Sequence, residues 1–333
     1  MRYINNPPNP YEKYSAEFLG EPSLAKIEIY EEYAAKKIIT KAWSSEFGHR
    51  LTINCYRGCI HACTYCFARQ YHEYLGYGAG TDFETKIVVK PNAPQMLREE
   101  LKTTRDKINH LDFSFTTDPY LPLEASYELT RKCLEVCADF RVPVAIVTKS
   151  PLIVRDLDVL TKLKCTVFFS IPFSTVGKSK PFELYTPTPE VRFKAMKTLT
   201  DSGIKVGIGI APVILGYNDA DIPTLLEKAK ENGATKAFIS LLHLDKDSIE
   251  QYFTEKLREK LPTQANKILN QLKREHGGEL RHRNFAERNN GTTEKWRAVV
   301  KMFELHFRRL QFEVFEKSAA PPENKIVVQP SLF

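Results

Sequence analysis

Three cysteines within one short loop constrain this chain more than any other feature of its sequence. Cys59, Cys63 and Cys66 form a C-x3-C-x2-C pattern. Thiolates spaced so closely along one loop can reach three corners of a small inorganic cluster, whereas structural zinc sites usually take their sulfurs in two separated pairs. A [4Fe–4S] cubane normally takes four thiolates, so three leave one iron open to another ligand. The spacing therefore favours an iron–sulfur cluster over a zinc loop or a disulfide pair.

The other cysteines have simpler explanations. Cys55 follows the strand-like run 51–54 and is either a fourth ligand or, as we favour, a small buried residue at a strand end. Cys133 and Cys137 fall on one face of a predicted helix, and Cys165 enters a predicted strand, so all three are predicted to be core residues. His61, inside the loop, is either a ligand or a group that hydrogen-bonds next to the ligands, and we favour the second role.

Composition places the chain among globular proteins. It has 333 residues, of which 42% are hydrophobic and 27% charged, and no apolar run approaches a membrane span. The N-terminus lacks the apolar region of a signal peptide, which predicts a cytoplasmic protein whose thiols stay reduced. The net charge of +7 permits a polyanionic partner without requiring one.

From residue 51 onward, short β-branched or aromatic runs alternate with longer amphipathic segments, which is the pattern of repeated βα units and a parallel sheet. The predicted strands are 51–54, 112–116, 142–148, 166–171, 205–211 and 236–241. The predicted helices are 93–104, 124–140, 154–163, 189–202 and 222–232. We predict an N-terminal extension over 1–49 with a helix-compatible stretch at 28–37, the α/β repeats over 50–243, a helical basic region over 244–318 and an extended tail over 319–333.

The cysteine loop, with the aromatic Tyr65 before its last cysteine, resembles the signature loop of the radical S-adenosylmethionine (SAM) superfamily. The resemblance implies an α/β fold built as a partial (β/α)6 barrel, with a [4Fe–4S] cluster on Cys59, Cys63 and Cys66. In that superfamily the methionine part of SAM chelates the open iron, and an electron from the cluster cleaves SAM to a 5′-deoxyadenosyl radical. Cofactor-binding groups are then expected at the carboxyl ends of the strands, as in other βα barrels.

Polar residues do follow several predicted strands. Asp118 is placed to accept hydrogen bonds from the SAM ammonium, although an Asx turn before Pro119 would also explain it. Arg192, on a following helix, is placed to meet the SAM carboxylate. The predicted cofactor residues are Tyr65, Asp118, Lys149, Ser170 as a ribose contact, Arg192, and Ile210 within the thinly side-chained stretch 208–216, where an adenine could lie.

Further segments resemble the branch of this superfamily related to spore photoproduct lyase, often described as DNA repair photolyase-like. They are 54–59, 82–86, 117–120, 148–150, 155–156 and 211–214, and the resemblance runs from about residue 36 to the C-terminus. Relatives commonly have Glu-Pro-Arg where this chain has Glu183-Leu184-Tyr185, and Gln in place of Leu121. Spore photoproduct lyase uses a cysteine as hydrogen donor near the second strand, whereas residues 115–117 offer none, so the resemblance does not imply thymine-dimer reversal by that route.

Beyond residue 241 the chain turns to charged helices and a basic segment. This segment runs from Lys273 to Arg288, with Phe285 and Trp296 interleaved. Cations that neutralise phosphates beside aromatic rings that stack on bases are typical of nucleic-acid binding, although a run of charge is more often a solvated face.

The leading hypothesis is an enzyme that cleaves SAM reductively and then abstracts hydrogen from a DNA lesion or a modified base. It would need an electron donor such as flavodoxin or ferredoxin. One alternative is a radical SAM enzyme that acts on a small metabolite or on RNA. Another is a non-catalytic iron–sulfur adaptor that binds DNA, which would have no use for cofactor-binding residues at the strand ends.

The last residues suggest a further partner. Gln329, Leu332 and Phe333 resemble the short peptide by which bacterial repair and replication proteins bind the sliding clamp. In such a peptide the glutamine forms a hydrogen bond and the Leu-Phe pair fills an apolar pocket. The alternative is that Leu332 and Phe333 pack on their own domain.

Overall fold

Six parallel strands form the centre of the molecule. The computed structural model describes residues 26–35, 37–44, 48–104, 108–113, 116–281 and 288–314. Its strands are β1 Glu28–Glu31, β2 Ile39–Ser44, β3 Gly48–Ile53, β4 Tyr56–Arg57, β5 Lys86–Val89, β6 Leu111–Phe113, β7 Val144–Thr148, β8 Cys165–Ser170, β9 Lys205–Val213 and β10 Lys236–Leu241. The main sheet has the order β10-β9-β8-β7-β6-β3-β2, with only β2 antiparallel to its neighbour. Because β10 and β2 lie at opposite ends of this sheet, it does not close, and the predicted partial (β/α)6 barrel is confirmed.

Helices separate the strands along the chain. They are α1 Gln70–Glu73, α2 Thr81–Thr85, α3 Ala93–Thr104, α4 Glu124–Tyr127, α5 Leu129–Asp139, α6 Leu157–Leu160, α7 Val176–Ser179, α8 Pro189–Asp201, α9 Ile222–Glu231, α10 Asp247–Lys260, α11 Ala265–Glu275 and α12 Glu294–Arg309. The start of α8 shows why the sequence signals worked there. Thr188 caps the helix by accepting a hydrogen bond from the Val191 amide, and Pro189 occupies the first turn.

Two predicted helices are divided in the structure. The helix predicted over 124–140 breaks at Glu128, which adopts φ +53° between α4 and α5. A left-handed residue cannot continue an α-helix, so the chain turns there. The helix predicted over 154–163 is a 3-10 helix, Pro151–Asp156, followed by α6.

The helix-compatible stretch at 28–37 was wrong, because it contains a strand. β1 pairs in parallel with β5, and β5 also pairs with β4, so the three form a small separate sheet. Ile29 and Tyr30 are β-formers, and pairing with β5 outweighed the helical preference of the alanines and lysines that follow.

Strand β9 shows how the core is filled. Gly207 and Gly209 lie on the strand where a Cβ atom would be 2.5 Å and 2.7 Å from the rings of Phe168 and Phe238, respectively. These rings, from β8 and β10, cross the strand at the positions where side chains are missing. The glycines therefore serve close packing of aromatic rings.

The helices α10, α11 and α12 follow the last barrel strand. They pack through apolar stripes that include Phe253, Leu269 and Val299. Within the described residues, no helix has both the length and the apolar character needed to cross a membrane.

Candidate active site at the cysteine loop

The cysteine loop follows β3 and β4 and is held against α2 and the start of β5. Gly58 adopts φ +78°, and a Cβ atom there would lie 2.9 Å from the Lys86 carbonyl oxygen. Glycine meets both requirements without strain. The Cys59 amide donates to the Phe83 carbonyl oxygen at 2.8 Å. These contacts fix the position of the first cysteine of the loop.

Arg69 anchors the middle of the loop. Its Nε and Nη2 atoms donate to the Cys63 carbonyl oxygen at 3.0 and 2.9 Å, and Nη1 donates to the carbonyl oxygens of Ala79 and Gly80. Nη2 also pairs with Glu84 at 2.5 Å, and the side chain of Arg69 is fully buried. This guanidinium therefore links the cysteine loop to the backbone of Ala79 and Gly80, just before α2. Sequence reasoning missed it, because a single arginine after the last cysteine carries no distinctive signal.

The loop after β8 lies on the other side of the cysteines. Cys63 forms an isolated antiparallel bridge with Glu183, and the Thr64 amide donates to the Phe182 carbonyl oxygen at 2.9 Å. The barrel thus contributes backbone as well as side chains to the surroundings of the thiols.

The three thiols share one electrostatic environment. Cys59 and Cys63 are buried, and Cys66 is partly buried. Burial raises the pKa of the Cys59 thiol to about 12, with smaller contributions from Asp118 and Cys66. Burial also raises the pKa of Cys63, whereas the Lys149 ammonium acts to lower it. Thiolates in such a place need a positive partner, which a bound iron cluster would supply.

The predicted strand-end residues meet, because β6, β7 and β8 are neighbours in the sheet. Asp118 accepts hydrogen bonds from the Thr148 hydroxyl and the Lys149 amide, each at 2.7 Å. Lys149 Nζ in turn donates to Ser170 Oγ at 2.9 Å. Asp118 also accepts from the Tyr120 amide at 2.9 Å, so the Asx turn considered from the sequence is present as well.

Glu183 completes this network, and sequence reasoning did not identify it. It accepts hydrogen bonds from the Tyr65 hydroxyl and from Arg192 Nη2, and Lys149 Nζ lies 3.9 Å from its Oε1. Burial would raise the pKa of Glu183, but Arg192 and Lys149 outweigh burial and hold it below its usual value. Tyr185 stands in place of the arginine of the Glu-Pro-Arg pattern, and the arginine contact of this loop comes instead from Arg192 on α8.

The Arg192 guanidinium is fully engaged by the protein. Nε donates to the Pro187 carbonyl oxygen at 2.9 Å, Nη1 to the Ser170 carbonyl oxygen at 2.8 Å, and Nη2 to Thr186 Oγ1 at 2.6 Å in addition to Glu183. Its side chain has no exposed surface. Arg192 therefore holds the carboxyl end of β8 and the loop that follows it in place.

Three further residues considered from the sequence are all buried, namely His61, Ile210 and Cys55. His61 is buried with Nδ1 3.5 Å from Asp118 Oδ2, and burial lowers its pKa more than Asp118 raises it. Ile210 is fully buried in the core on β9. Cys55 has its Sγ 3.7 Å from Cys133 Sγ, deep in the main core.

In the described part of the chain, no three His, Cys, Asp or Glu side chains are grouped to hold one metal ion. A cubane has a different requirement, because its three thiolate ligands bind three different irons and need not converge on a point. The donor set suits such a cluster, since three thiols lie on one loop, and the partly buried Lys149 and the buried Arg192 act on Cys63.

The basic segment and the residues on either side of it differ in their exposure to solvent. Lys267, Lys273 and Arg274 are exposed on α11. Trp296, by contrast, is only 4% exposed, so the expectation that it stacks on bases was wrong, because the ring packs into the core. Phe285 and the sliding-clamp residues Gln329, Leu332 and Phe333 lie outside the described residues.

Comparison with known proteins identifies the superfamily and a structural relative. The family model of the radical SAM superfamily matches residues 53–229. An uncharacterised protein of Mycobacterium tuberculosis is 36% identical over 201 residues, which are 59% of this chain and 59% of that protein. The alignment thus spans less than two thirds of that curated relative.

Solved structures of spore photoproduct lyase share the fold. One variant of that enzyme superposes with a TM-score of 0.62 at 15% identity, covering 89% of this chain and 85% of the variant. The enzyme complexed with dinucleoside spore photoproduct superposes with a TM-score of 0.57 at 18% identity, covering 75% of this chain and 72% of the enzyme. At these identities the likeness shows the architecture of the chain.

Proposed function

The chain belongs to the radical SAM superfamily of enzymes, and from that premise we propose that it cleaves SAM at a [4Fe–4S] cluster and acts on a base in nucleic acid. The observation that carries the first part is the arrangement of three thiols on one buried loop beside a network of strand-end polar groups. The cluster would supply the electron that cleaves SAM to a radical able to abstract hydrogen.

Cys59, Cys63 and Cys66 would hold the cluster. Gly58 and Arg69 hold the loop backbone from two sides, next to Cys59 and at Cys63. Lys149 stabilises the thiolate form of Cys63. We expect this cation to offset part of the negative charge of a cluster with three thiolate ligands.

Lys149 is also the best candidate to meet the SAM carboxylate. Arg192 already satisfies acceptors with Nε, Nη1 and Nη2. We therefore assign Arg192 to positioning Glu183 and Ser170 rather than to contact with SAM. Asp118 can still accept from the SAM ammonium, since each carboxylate oxygen has more than one acceptor site. Ser170 Oγ and Tyr65 lie next to these groups and complete the proposed SAM site.

Nucleic acid as substrate has two supports. The fold resembles that of spore photoproduct lyase, one structure of which is a complex with dinucleoside spore photoproduct. In addition, Lys267, Lys273 and Arg274 give α11 an exposed basic face, which suits phosphate contacts. An electron donor of the flavodoxin or ferredoxin type and a sliding-clamp contact through Gln329, Leu332 and Phe333 remain part of this proposal.

The test is turnover by the anaerobically reconstituted full-length protein. We expect reductant-dependent formation of 5′-deoxyadenosine, stimulated by single-stranded or lesion-bearing oligonucleotides. Stimulation by an RNA or by a small metabolite instead would replace the substrate assignment. Cluster content without any SAM cleavage would favour the DNA-binding adaptor.

A further inference from the structure

A cavity of about 560 Å³ opens beside the cysteine loop. His61 contributes from that loop, and the segments that follow β6, β7 and β8 supply the other walls. The cavity therefore lies at the carboxyl edge of the barrel. Its size is within the range of ordinary small-molecule sites.

Rigid apolar groups make up most of its walls. Pro122, Pro151 and Pro187 enter from the three strand-end segments, and Leu152 adds an aliphatic side chain. No Lys, Arg, Asp or Glu occurs among the described residues that line it. An ionised phosphate or carboxylate would lose its hydration there without gaining a charged partner, so these walls suit a neutral group.

Tyr185 provides an aromatic face at the opening. It lines the cavity and is 69% exposed. Its amide donates to the His61 carbonyl oxygen at 3.3 Å, which ties its backbone to the cysteine loop. An exposed ring on an anchored backbone is suited to stacking on a flat ligand.

The polar side chains of the cavity lie next to the proposed SAM site. Thr186 Oγ1 accepts from Arg192 Nη2 at 2.6 Å, and His61 Nδ1 lies 3.5 Å from Asp118. Ser150 follows the end of β7. A ligand in the cavity would thus touch the same network that surrounds the thiols.

We propose that this cavity receives one unstacked nucleobase, with Tyr185 stacked on its face and the phosphates left in solvent. The inference rests on the proposed function and names the part of the nucleic acid that enters the site. A buried reactive group can reach a base only after the base leaves its stack. A nucleobase is neutral and flat with a polar edge, which matches the apolar walls and the hydroxyl and imidazole groups of Ser150, Thr186 and His61.

Binding of a short single-stranded oligodeoxynucleotide that carries one 2-aminopurine tests this inference. The fluorescence of 2-aminopurine reports whether that base is stacked, and the protein is the reconstituted full chain under anaerobic conditions. We expect Tyr185→Ala to weaken binding roughly 5- to 150-fold, the range for loss of one base–aromatic stack. Tyr185→Phe should bind as the unmodified protein does. Leu152→Trp, which narrows the cavity, should reduce the fluorescence change.

Tyr33→Ala is the matched control, because Tyr33 is 62% exposed and does not line the cavity. Equal oligonucleotide affinity in all variants, with oligonucleotide-stimulated SAM cleavage intact, would overturn the base-binding cavity and leave the proposed function standing. A loss of SAM affinity in Tyr185→Ala, measured by equilibrium dialysis, without any change in oligonucleotide affinity would assign the cavity to SAM. Failure of the unmodified protein to bind or respond to any oligonucleotide would instead refute nucleic acid as the substrate.

Discussion

Two groups of cysteines occupy this fold, and they differ in what surrounds them. Cys59, Cys63 and Cys66 lie on one loop among charged side chains, including Asp118 and Lys149. The core group, Cys55, Cys133, Cys137 and Cys165, lies within the main hydrophobic core. Burial raises the pKa of Cys165 to about 12, with no contribution from any charge.

Burial alone therefore does not distinguish a ligand cysteine from a structural one. Burial raises the pKa of Cys59 and Cys63 in the loop group and of Cys133, Cys137 and Cys165 in the core group. Among these five thiols, only Cys63 of the loop group has a nearby cation, Lys149, that favours the thiolate. The core group instead has its members next to one another, with Cys55 and Cys133 Sγ atoms 3.7 Å apart. The charges around a thiol, and not its burial, indicate its role.

The largest expected effect is on iron content. Replacing Cys59, Cys63 or Cys66 with Ala should remove nearly all iron and the absorption near 400 nm after anaerobic reconstitution, because each thiolate would bind a separate iron of the cluster. Cys55→Ala and Cys133→Ala are the matched controls and should retain both signals. Retention of iron in any of the three loop variants, or its loss in Cys55→Ala alone, would reverse the assignment of the two groups.

The charges beside the loop should matter for stability as well. Arg192 and Glu183 are both fully buried, so Arg192→Ala should lower the free energy of unfolding of the apo-protein by about 3–5 kcal/mol in urea, because it leaves a buried carboxylate short of its partner. Lys197→Ala removes the ion pair with Asp201, in which the two side chains are 51% and 58% exposed. This substitution should lower the free energy of unfolding by less than about 1 kcal/mol. Similar losses in both variants would mean that the buried pair does not stabilise the loop.

A smaller effect is expected in the core group. Cys133→Ala should lower the free energy of unfolding by about 1 kcal/mol through lost packing, with iron content unchanged. Because Cys55 and Cys133 are in contact, the double variant should deviate from the sum of the two single variants. A strictly additive result would show that the contact contributes nothing to stability.

Much of the main sheet was predictable from the sequence, because its strands and the helices between them have characteristic local patterns of apolar residues. The barrel strands and α3 follow from apolar runs and amphipathic segments, and adjacency of strands brought Asp118, Lys149 and Ser170 together as expected. Strand β1 was missed because its structure depends on pairing with β5, which lies far away in sequence.

The residues missed at the site share one property, which is that their roles come from contacts distant in sequence. Glu183 is recognisable only when α8 brings Arg192 to it and the loop brings Tyr65. Arg69 acts on backbone carbonyl oxygens, which leave no trace in residue type. Trp296 was wrongly predicted to stack on bases. Its position among charged residues does not show that the ring is buried.

The finest test of the comparison is the order in which the thiols are alkylated. In native apo-protein, Cys66 is the one loop thiol that is only partly buried, and Cys55, Cys133 and Cys137 are buried. We expect iodoacetamide to label Cys66 first and the core group last, as followed by peptide mass mapping, because the reagent needs access to the sulfur. Reconstitution with iron and sulfide should then protect Cys66 and leave the slow labelling of the core group unchanged. In urea all seven cysteines should react at similar rates, which controls for intrinsic reactivity. Two results would contradict this comparison. One is that Cys55 is labelled as fast as Cys66, and the other is that reconstitution leaves the labelling rate of Cys66 unchanged.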